Sequence, residues 1–172
     1  MEKERFISTI KDNQRIIHKV CNTYCRNVEH RKDLEQEILE QLWKSMHRFD
    51  GRVKVSTWIY QVALNTAFLF YRNESKHHKK KVSIDDSFIT IAAEDIDPEL
   101  ERRVAKLYRF IDTLDELDKA LMLLYLDSCK QKDIAEILGI SETNVATKVS
   151  RIKAKMKKEF SPKQTISHDG NG

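Results

Sequence analysis

Glycine and proline are scarce in this chain of 172 residues, which has four glycines and two prolines. Hairpin turns and phosphate-cradling loops rely on these residues, so a sheet-rich fold and a glycine-rich nucleotide loop are both disfavoured. The alternation of apolar and polar residues that is typical of strands occurs only briefly. The composition, with 40% hydrophobic and 34% charged residues, fits a soluble helical protein. We therefore predict an all-α fold without a sheet.

Long apolar runs and paired cysteines are also missing. The longest apolar run spans only residues 120–126, far below the roughly 18 residues that suggest a membrane span. The N-terminus opens with charges instead of the apolar core of a signal peptide. Three cysteines in a chain with no export signal argue against a disulfide framework. The sequence thus predicts a cytoplasmic protein with reduced thiols.

Motifs of catalysis and metal binding are few. The chain has no P-loop, no glycine-rich dinucleotide loop and no H-E-x-x-H motif, and the neighbouring acids Asp85 and Asp86 have no site around them. Cys21 and Cys25 are four residues apart with His18 upstream, which leaves a helical metal cluster as an alternative. Burial of both thiols as small hydrophobic groups is the preferred interpretation. We expect no enzyme, no cofactor and no metal.

Charge is segregated along the chain, although the net charge is only +4. Residues 142–158 carry six cations and one acid, whereas residues 85–101 carry seven acids and neither lysine nor arginine. Such segregation indicates separate functions for the two stretches. The acidic stretch is also expected to be able to cover the basic one within the same molecule.

Helical patterns occupy two parts of the chain, separated by an irregular segment. Leu34, Ile38 and Leu42 show the four-residue repeat that predicts a three- to four-helix bundle over residues 1–75. Residues 76–97 join a basic run to an acidic one and are predicted to form a flexible linker. Asp97 and Pro98 then suit the start of a helix. A second small helical domain is predicted over residues 98–160, followed by a disordered tail at 161–172.

Residues 133–157 contain two helical patterns separated by a glycine. Ile134 and Leu138 belong to the inner face of a short helix, Gly139 permits a tight turn, and Ser141 is a natural cap for the next helix. This pattern predicts a helix-turn-helix motif whose second helix presents base readers and phosphate binders to DNA. A helix with a merely solvated basic side is the alternative. The predicted outward residues are Thr143, Asn144, Ala146, Thr147, Lys148, Ser150 and Arg151.

Two stretches carry a resemblance to a known family. The stretch DKALMLLYLDSCKQKDIAEILGISETNVATKVSRIKAKMK resembles the fourth region of bacterial sigma factors, and DLEQEILEQLWKSMHRFDGRVKVSTWIYQVALNTA resembles their second region. The two motifs stand in the family's order, and the short length matches the extracytoplasmic-function subfamily. The resemblance implies two small helical domains, a three- to four-helix bundle and a helix-turn-helix domain, in an alternative transcription initiation factor.

The resemblance also implies roles for three groups of residues. In the family, a D-L-x-Q-E segment docks on the clamp helices of the polymerase β′ subunit. The segment that follows it recognises and melts the −10 element of the promoter. The outward residues of the second helix in the helix-turn-helix, named above, would read the −35 element. The implied docking residues are Asp33, Leu34, Gln36 and Glu37, of which Leu34 also fits the bundle core. The implied −10 residues are Arg52, Lys54, Ser56, Thr57, Trp58, Tyr60 and Asn65, with core packing slightly favoured for Trp58.

The implied partners are core RNA polymerase, through its β′ clamp helices and β flap, promoter DNA and an anti-sigma factor. This chain departs from the family in its recognition helix, where Ala146 and Lys148 stand at positions that are often basic or arginine. We therefore expect an unusual −35 sequence, with Asn144 as a candidate adenine reader. The alternative function is a stand-alone helix-turn-helix regulator, and an anti-sigma or adaptor protein is a weaker third.

Overall fold

The computed structural model describes residues 2–77 and 97–161, which form seven α-helices and one 3₁₀ turn and contain no strand. None of the helices in these ranges is both long and apolar enough to cross a membrane. The first domain consists of α1 (Glu2–Tyr24), α2 (Val28–Ser45), the 3₁₀ turn (Met46–Arg48) and α3 (Val55–His77). The second domain consists of α4 (Pro98–Asp112), α5 (Glu116–Leu126), α6 (Gln131–Leu138) and α7 (Glu142–Phe160).

The core of the first domain follows from apolar residues that recur every three or four positions. Leu34, Ile38 and Leu42 of α2 are all fully buried, as the four-residue repeat predicts. Each such side chain contributes about 1.5–3 kcal/mol of stability when it leaves water. The entry into α2 is fixed by Asn27, whose side chain accepts hydrogen bonds from the backbone N–H groups of Glu29 (2.8 Å) and His30 (3.2 Å).

Two helices of the second domain begin at caps that the sequence predicts. Asp97 accepts from the backbone N–H of Glu99 at 3.0 Å, with Pro98 in the first turn of α4. Ser141 accepts from the backbone N–H of Asn144 at 3.1 Å and starts α7. Between these, α6 ends at Gly139, which adopts the left-handed conformation with φ of 66°. The predicted helix-turn-helix is therefore present as α6, the glycine turn and α7.

The two domains pack against each other, with α3 on α6 and α1 on α5. Buried apolar residues from both domains belong to one hydrophobic cluster. The predicted linker lies almost wholly outside the described residues, because α3 continues to His77 and the description resumes at Asp97. The predicted tail, apart from Ser161, also lies outside them. Most of the acidic stretch, residues 85–96, is outside them as well, and so is the covering of the basic helix that was expected of it.

Gly139 provides a test of the turn that orients α7. A Cβ atom at this position would meet no heavy atom within 4 Å, so only the left-handed backbone opposes substitution. Gly139→Ala should lower the free energy of unfolding by about 1–2 kcal/mol, whereas Gly139→Asn should cost clearly less because asparagine tolerates this conformation. Urea unfolding followed by circular dichroism measures both. Equal losses for the two variants would contradict the backbone explanation.

Candidate nucleic-acid interface

The outward face of α7 is the first candidate surface. Val145 and Ile152, seven residues apart, are each 1% exposed and fix the helix to the second domain. The opposite side therefore faces solvent, and it carries small polar side chains near the helix N-terminus followed by cations. The predicted −35 residues that are exposed are Thr143, Asn144, Ala146, Thr147, Ser150 and Arg151. This arrangement offers side chains of the length and chemistry that can reach base edges and phosphates in a major groove.

Lys148 differs from the other predicted −35 residues, because it does not lie on the outward face. Its ammonium lies 2.8 Å from the Asp118 carboxylate of α5, and the two side chains are only 24% and 14% exposed. The position, between the inward residues Val145 and Val149, turns the side chain toward the domain body. The expectation that Lys148 shares a face with Asn144 is thus corrected: in this structure Lys148 joins α7 to α5.

The predicted −10 residues fall into exposed, half-buried and buried groups. Arg52, Lys54 and Asn65 are exposed, and Ser56 and Trp58 are half-buried. Trp58 stacks on Phe49 with 4.9 Å between ring centroids and 30° between ring planes. Trp58 thus packs within the first domain, which is the role that the sequence analysis slightly favoured for it.

Thr57 and Tyr60 form the buried group, at 3% and 2% exposed. The Tyr60 hydroxyl donates to a carboxylate oxygen of Asp127, the residue that follows α5. Burial raises the pKa of the Tyr60 phenol, so the hydroxyl keeps its proton for this bond. In this arrangement of the domains neither residue is available to DNA, which corrects the expectation that both face it.

The predicted docking residues lie on both sides of α2. Asp33 and Gln36 are exposed, and Glu37 is half-buried and accepts a hydrogen bond from the Gln41 side chain at 3.1 Å. Leu34 is fully buried in the bundle, so its assignment as a surface contact is corrected to a core role.

The exposed stripe of α2 is longer than the docking motif. It continues one and two turns further along the helix to Glu40 and Lys44, whose side chains are 2.6 Å apart. Sequence reasoning missed this extension because it followed the motif and not the helical period. The helical period does indicate the extension, since Glu40 and Lys44 stand seven residues after Asp33 and Glu37 and so share their helix face.

The cysteines of α1 are buried, whereas His18 is exposed. Cys21 is 1% and Cys25 5% exposed. Burial, followed by the Glu35 carboxylate, raises the pKa of the Cys21 thiol to about 12. His18 instead places Nε2 3.2 Å from Glu35 on α2. Among the residues that the structure describes, no three or more histidine, cysteine or acidic side chains are grouped to hold a metal ion.

Ion pairs between the domains form a second feature that sequence reasoning missed. Four such pairs occur among the described residues, and each has its cation on the first domain and its acid on the second. We call the acids Asp112, Glu116, Asp127 and Asp133 the acidic face. The pairs are Arg26–Asp112, Arg72–Glu116 (3.3 Å), Lys19–Asp127 and Lys54–Asp133 (3.1 Å).

A groove of about 1020 Å³ separates α4 from the C-terminal half of α7. Its lining combines Ala105 and Phe110 with cations from both helices. Lys106 lies over the Phe160 ring, 4.5 Å from the centroid, at one end of this surface. The cations of the lining are Arg102, Lys106, Arg109, Lys155 and Lys158.

Comparison with known proteins gives concordant matches along the chain. A family model described as Sigma-70 region 2 matches residues 9–77, and one described as Sigma-70, region 4 matches residues 105–156. The ECF RNA polymerase sigma factor SigM of Bacillus subtilis (strain 168) is 30% identical over 130 residues, 73% of this chain and 77% of SigM. RNA polymerase sigma factor YlaC of the same strain is 25% identical over 137 residues, 78% of this chain and 79% of YlaC.

Solved structures resemble the fold. CnrH, in complex with the cytosolic domain of CnrY, matches 91% of this chain and 87% of its own with a TM-score of 0.65. The sigma factor RpoE of Bartonella quintana, in complex with the anti-sigma factor NepR, matches 91% of this chain and 94% of its own with a TM-score of 0.66. Both are 15% identical to this chain, so the likeness concerns the fold alone.

The Lys148–Asp118 pair generates a prediction about α7. Because both side chains are mostly buried, a double-mutant cycle with Lys148→Met and Asp118→Asn should give a coupling energy of about 1–2 kcal/mol in urea unfolding. A coupling energy near zero would mean that Lys148 is not held by α5.

Proposed function

Because the chain belongs to the sigma-70 family, as an extracytoplasmic-function (ECF) sigma factor, we propose that it divides polymerase binding and promoter reading among three surfaces. Sigma factors are non-enzymatic initiation factors, and this chain directs RNA polymerase to promoters. The observation that carries the division of labour is the order of the two matched regions, residues 9–77 and 105–156, each with an exposed polar helix face.

The outward face of α7 reads the −35 element in this proposal. Asn144 lies in the first turn of the helix, where a side-chain amide can pair with an adenine edge. Arg151, two turns further on, suits a phosphate. Ala146 supplies no hydrogen bond, and its methyl group suits apolar contact with a thymine methyl. Lys148 is left out of this surface because its ammonium is paired with Asp118.

The first domain contacts the −10 element through the segment that leads into α3 and through α3 itself. Arg52 and Lys54 are exposed cations in the segment between Phe49 and Trp58, whose rings stack, and this combination suits a single strand with unstacked bases. Tyr60 belongs to this surface only when the domains separate, since Asp127 holds its hydroxyl in the closed arrangement.

The exposed stripe of α2 docks on the polymerase β′ clamp helices in this proposal. Asp33, Gln36 and Glu37 present acidic and amide groups on one side of the helix, while Leu34 on the other side anchors the helix in the bundle. The rigid attachment matters because a docking surface on a packed helix loses little conformational entropy on binding. Glu40 lies on the same side and extends the surface.

The groove between α4 and α7 is the proposed contact for the polymerase β flap. It lies along the C-terminal half of α7, which leaves the base-reading residues at the N-terminal half uncovered. Its lining combines the apolar side chains of Ala105 and Phe110 with five cations and two acids, and this net positive charge suits an apolar segment that carries acids. A sigma factor docked at both α2 and this groove holds its two domains at separate points on the enzyme.

A protein that restrains the sigma factor is also proposed. CnrH and RpoE of Bartonella quintana, which share this fold, have each been solved with a protein partner, CnrY and NepR respectively. The expected partner is an anti-sigma factor that binds this chain in competition with core polymerase.

The experiment for the overall function is reconstitution. Purified full-length protein is mixed with bacterial core RNA polymerase and a promoter library, and transcript starts are sequenced. We expect starts downstream of one shared pair of −35 and −10 sequences. Transcription identical to that of core polymerase alone would contradict the proposal.

The docking surface predicts loss of polymerase binding on charge reversal. Asp33→Lys with Glu37→Lys should abolish co-purification with core polymerase while the helix content stays the same, because a basic stripe repels a basic partner helix. The matched control, Asp12→Lys with Glu99→Lys, makes the same change of charge at exposed sites outside the stripe and should bind normally. Equal binding by both double variants would remove α2 from the docking site.

On the outward face of α7, a base-contacting residue and a phosphate-contacting residue should respond differently when DNA affinity is measured over a series of salt concentrations. Asn144→Ala should relax preference at one base pair, typically by about 1–3 kcal/mol of discrimination. Arg151→Ala should weaken binding to all sequences and reduce the salt slope by about one unit. Binding of the full-length protein to −35 duplex variants, taken from the promoters found by reconstitution, measures both. If neither variant changes affinity, slope or preference, α7 does not read DNA.

A further inference from the structure

A cleft of about 490 Å³ lies where the ends of α1 and α3 meet the start of α5. We propose that this cleft binds a small zwitterion with an aromatic side chain, of the class of the free aromatic amino acids, and that Lys119 receives its carboxylate. The site lies outside the three surfaces proposed for polymerase and promoter DNA. The inference therefore goes beyond the proposed function and does not depend on it.

Lys119 is a buried cation of α5 that lines this cleft and is only 9% exposed. Among the described residues its ammonium forms no hydrogen bond and no ion pair. The Tyr71 ring is its nearest aromatic neighbour, with the centroid 5.8 Å away, close to the outer limit of a cation–π contact. Burying a charge without a partner costs free energy. An anionic oxygen in the cleft would supply the missing partner.

The surroundings of Lys119 disfavour its charge, which supports this reading. Burial lowers the pKa of the Lys119 ammonium, and the Arg26 guanidinium acts in the same direction. Glu116 acts in the opposite direction. A carboxylate bound beside Lys119 would offset both the desolvation and the repulsion from Arg26.

Two acids of the acidic face also line the cleft, but each already has a cation. Asp112 pairs with Arg26, and Glu116 pairs with Arg72 at 3.3 Å. Their charges are thus largely balanced by the first domain. They leave Lys119 as a positive centre that a carboxylate can approach.

Asp115 is the remaining acid of the lining, and no cation of the described residues pairs with it. It caps α5, where its side chain accepts from the backbone N–H of Asp118 at 2.8 Å. Asp115 stands four residues before Lys119, so the two side chains belong to one face of the helix start. A ligand with an ammonium next to its carboxylate can pair with both residues. A ligand with a carboxylate alone would be repelled by Asp115, so the cleft favours a zwitterion.

The walls of the cleft are apolar and come from both domains. Tyr24 and Tyr71 belong to α1 and α3, whereas Leu114 precedes α5 and Leu117 lies in it. The Tyr24 hydroxyl donates to the backbone carbonyl of Glu116 at 2.7 Å, which fixes that ring. Tyr71 is 39% exposed, so its ring is available to a second ring. The volume lies within the range of small-molecule sites, about 300–1,000 Å³.

The test uses the free full-length protein and probes that share an aromatic ring. L-phenylalanine, L-tyrosine and L-tryptophan carry both charges, hydrocinnamate lacks the ammonium, and phenethylamine lacks the carboxylate. Isothermal titration calorimetry measures affinity, and circular dichroism measures the melting temperature. An aromatic amino acid should bind and raise the melting temperature as its concentration rises. Hydrocinnamate should bind more weakly, and phenethylamine should bind least because it has no group for Lys119.

Lys119→Met removes the ammonium and keeps a long apolar side chain. It should weaken binding of the amino acid about tenfold, the loss expected for one hydrogen bond to a charged group. The melting temperature of the ligand-free variant should not fall, since the buried charge has no partner to lose. The matched control, Lys132→Met, removes the same charge at an exposed position of α6 and should bind as the wild type does. Tyr71→Ala, a change at an exposed ring, should also weaken binding with the helix content unchanged.

The results that would overturn the inference are specific. They are the absence of binding of all three aromatic amino acids by the wild type, equal affinity of wild type and Lys119→Met, and phenethylamine binding as tight as that of the amino acid. Hydrocinnamate binding as tight as that of the amino acid would overturn the part assigned to Asp115. Reconstituted transcription is measured without added ligand, so the sigma function is tested independently of every one of these results.

Discussion

The packing of α3 against α6, and of α1 against α5, decides which candidate side chains of this sigma factor can meet DNA. The same packing buries Tyr60, pairs Lys54 and Arg72 with carboxylates, and leaves the outward side of α7 in solvent. Among the predicted DNA-binding residues, those on the outward side of α7 are exposed in this arrangement, whereas Thr57 and Tyr60 of α3 are buried.

Local sequence signals were sufficient for the buried face of α2, for the starts of α4 and α7 and for the glycine turn before α7. The four-residue repeat of Leu34, Ile38 and Leu42 and the caps at Asp97 and Ser141 act over a few residues, so the sequence predicts them directly. The family resemblance and the two-domain helical fold are confirmed by the matched region models and the solved structures.

Contacts between distant residues were not predictable in the same way. Tyr60 and Asp127 are 67 positions apart, and Lys148 and Asp118 are 30 apart. No periodicity within one helix indicates which lysine turns inward or which tyrosine meets a carboxylate of the other domain. Both corrections arise because a polar side chain at the boundary of a helix face takes its partner from tertiary packing. The assignments of individual residues to DNA and polymerase remain predictions.

The burial of the cysteines in α1 has a consequence for how this sigma factor can be controlled. The thiolate is the form that reacts readily with oxidants, and burial raises the pKa of the Cys21 thiol to about 12, which favours the protonated form at neutral pH. Burial also raises the pKa of Cys129. Burial thus favours the protonated, less reactive form of the thiols at Cys21 and Cys129, which disfavours direct control of the folded chain by oxidation at these two positions.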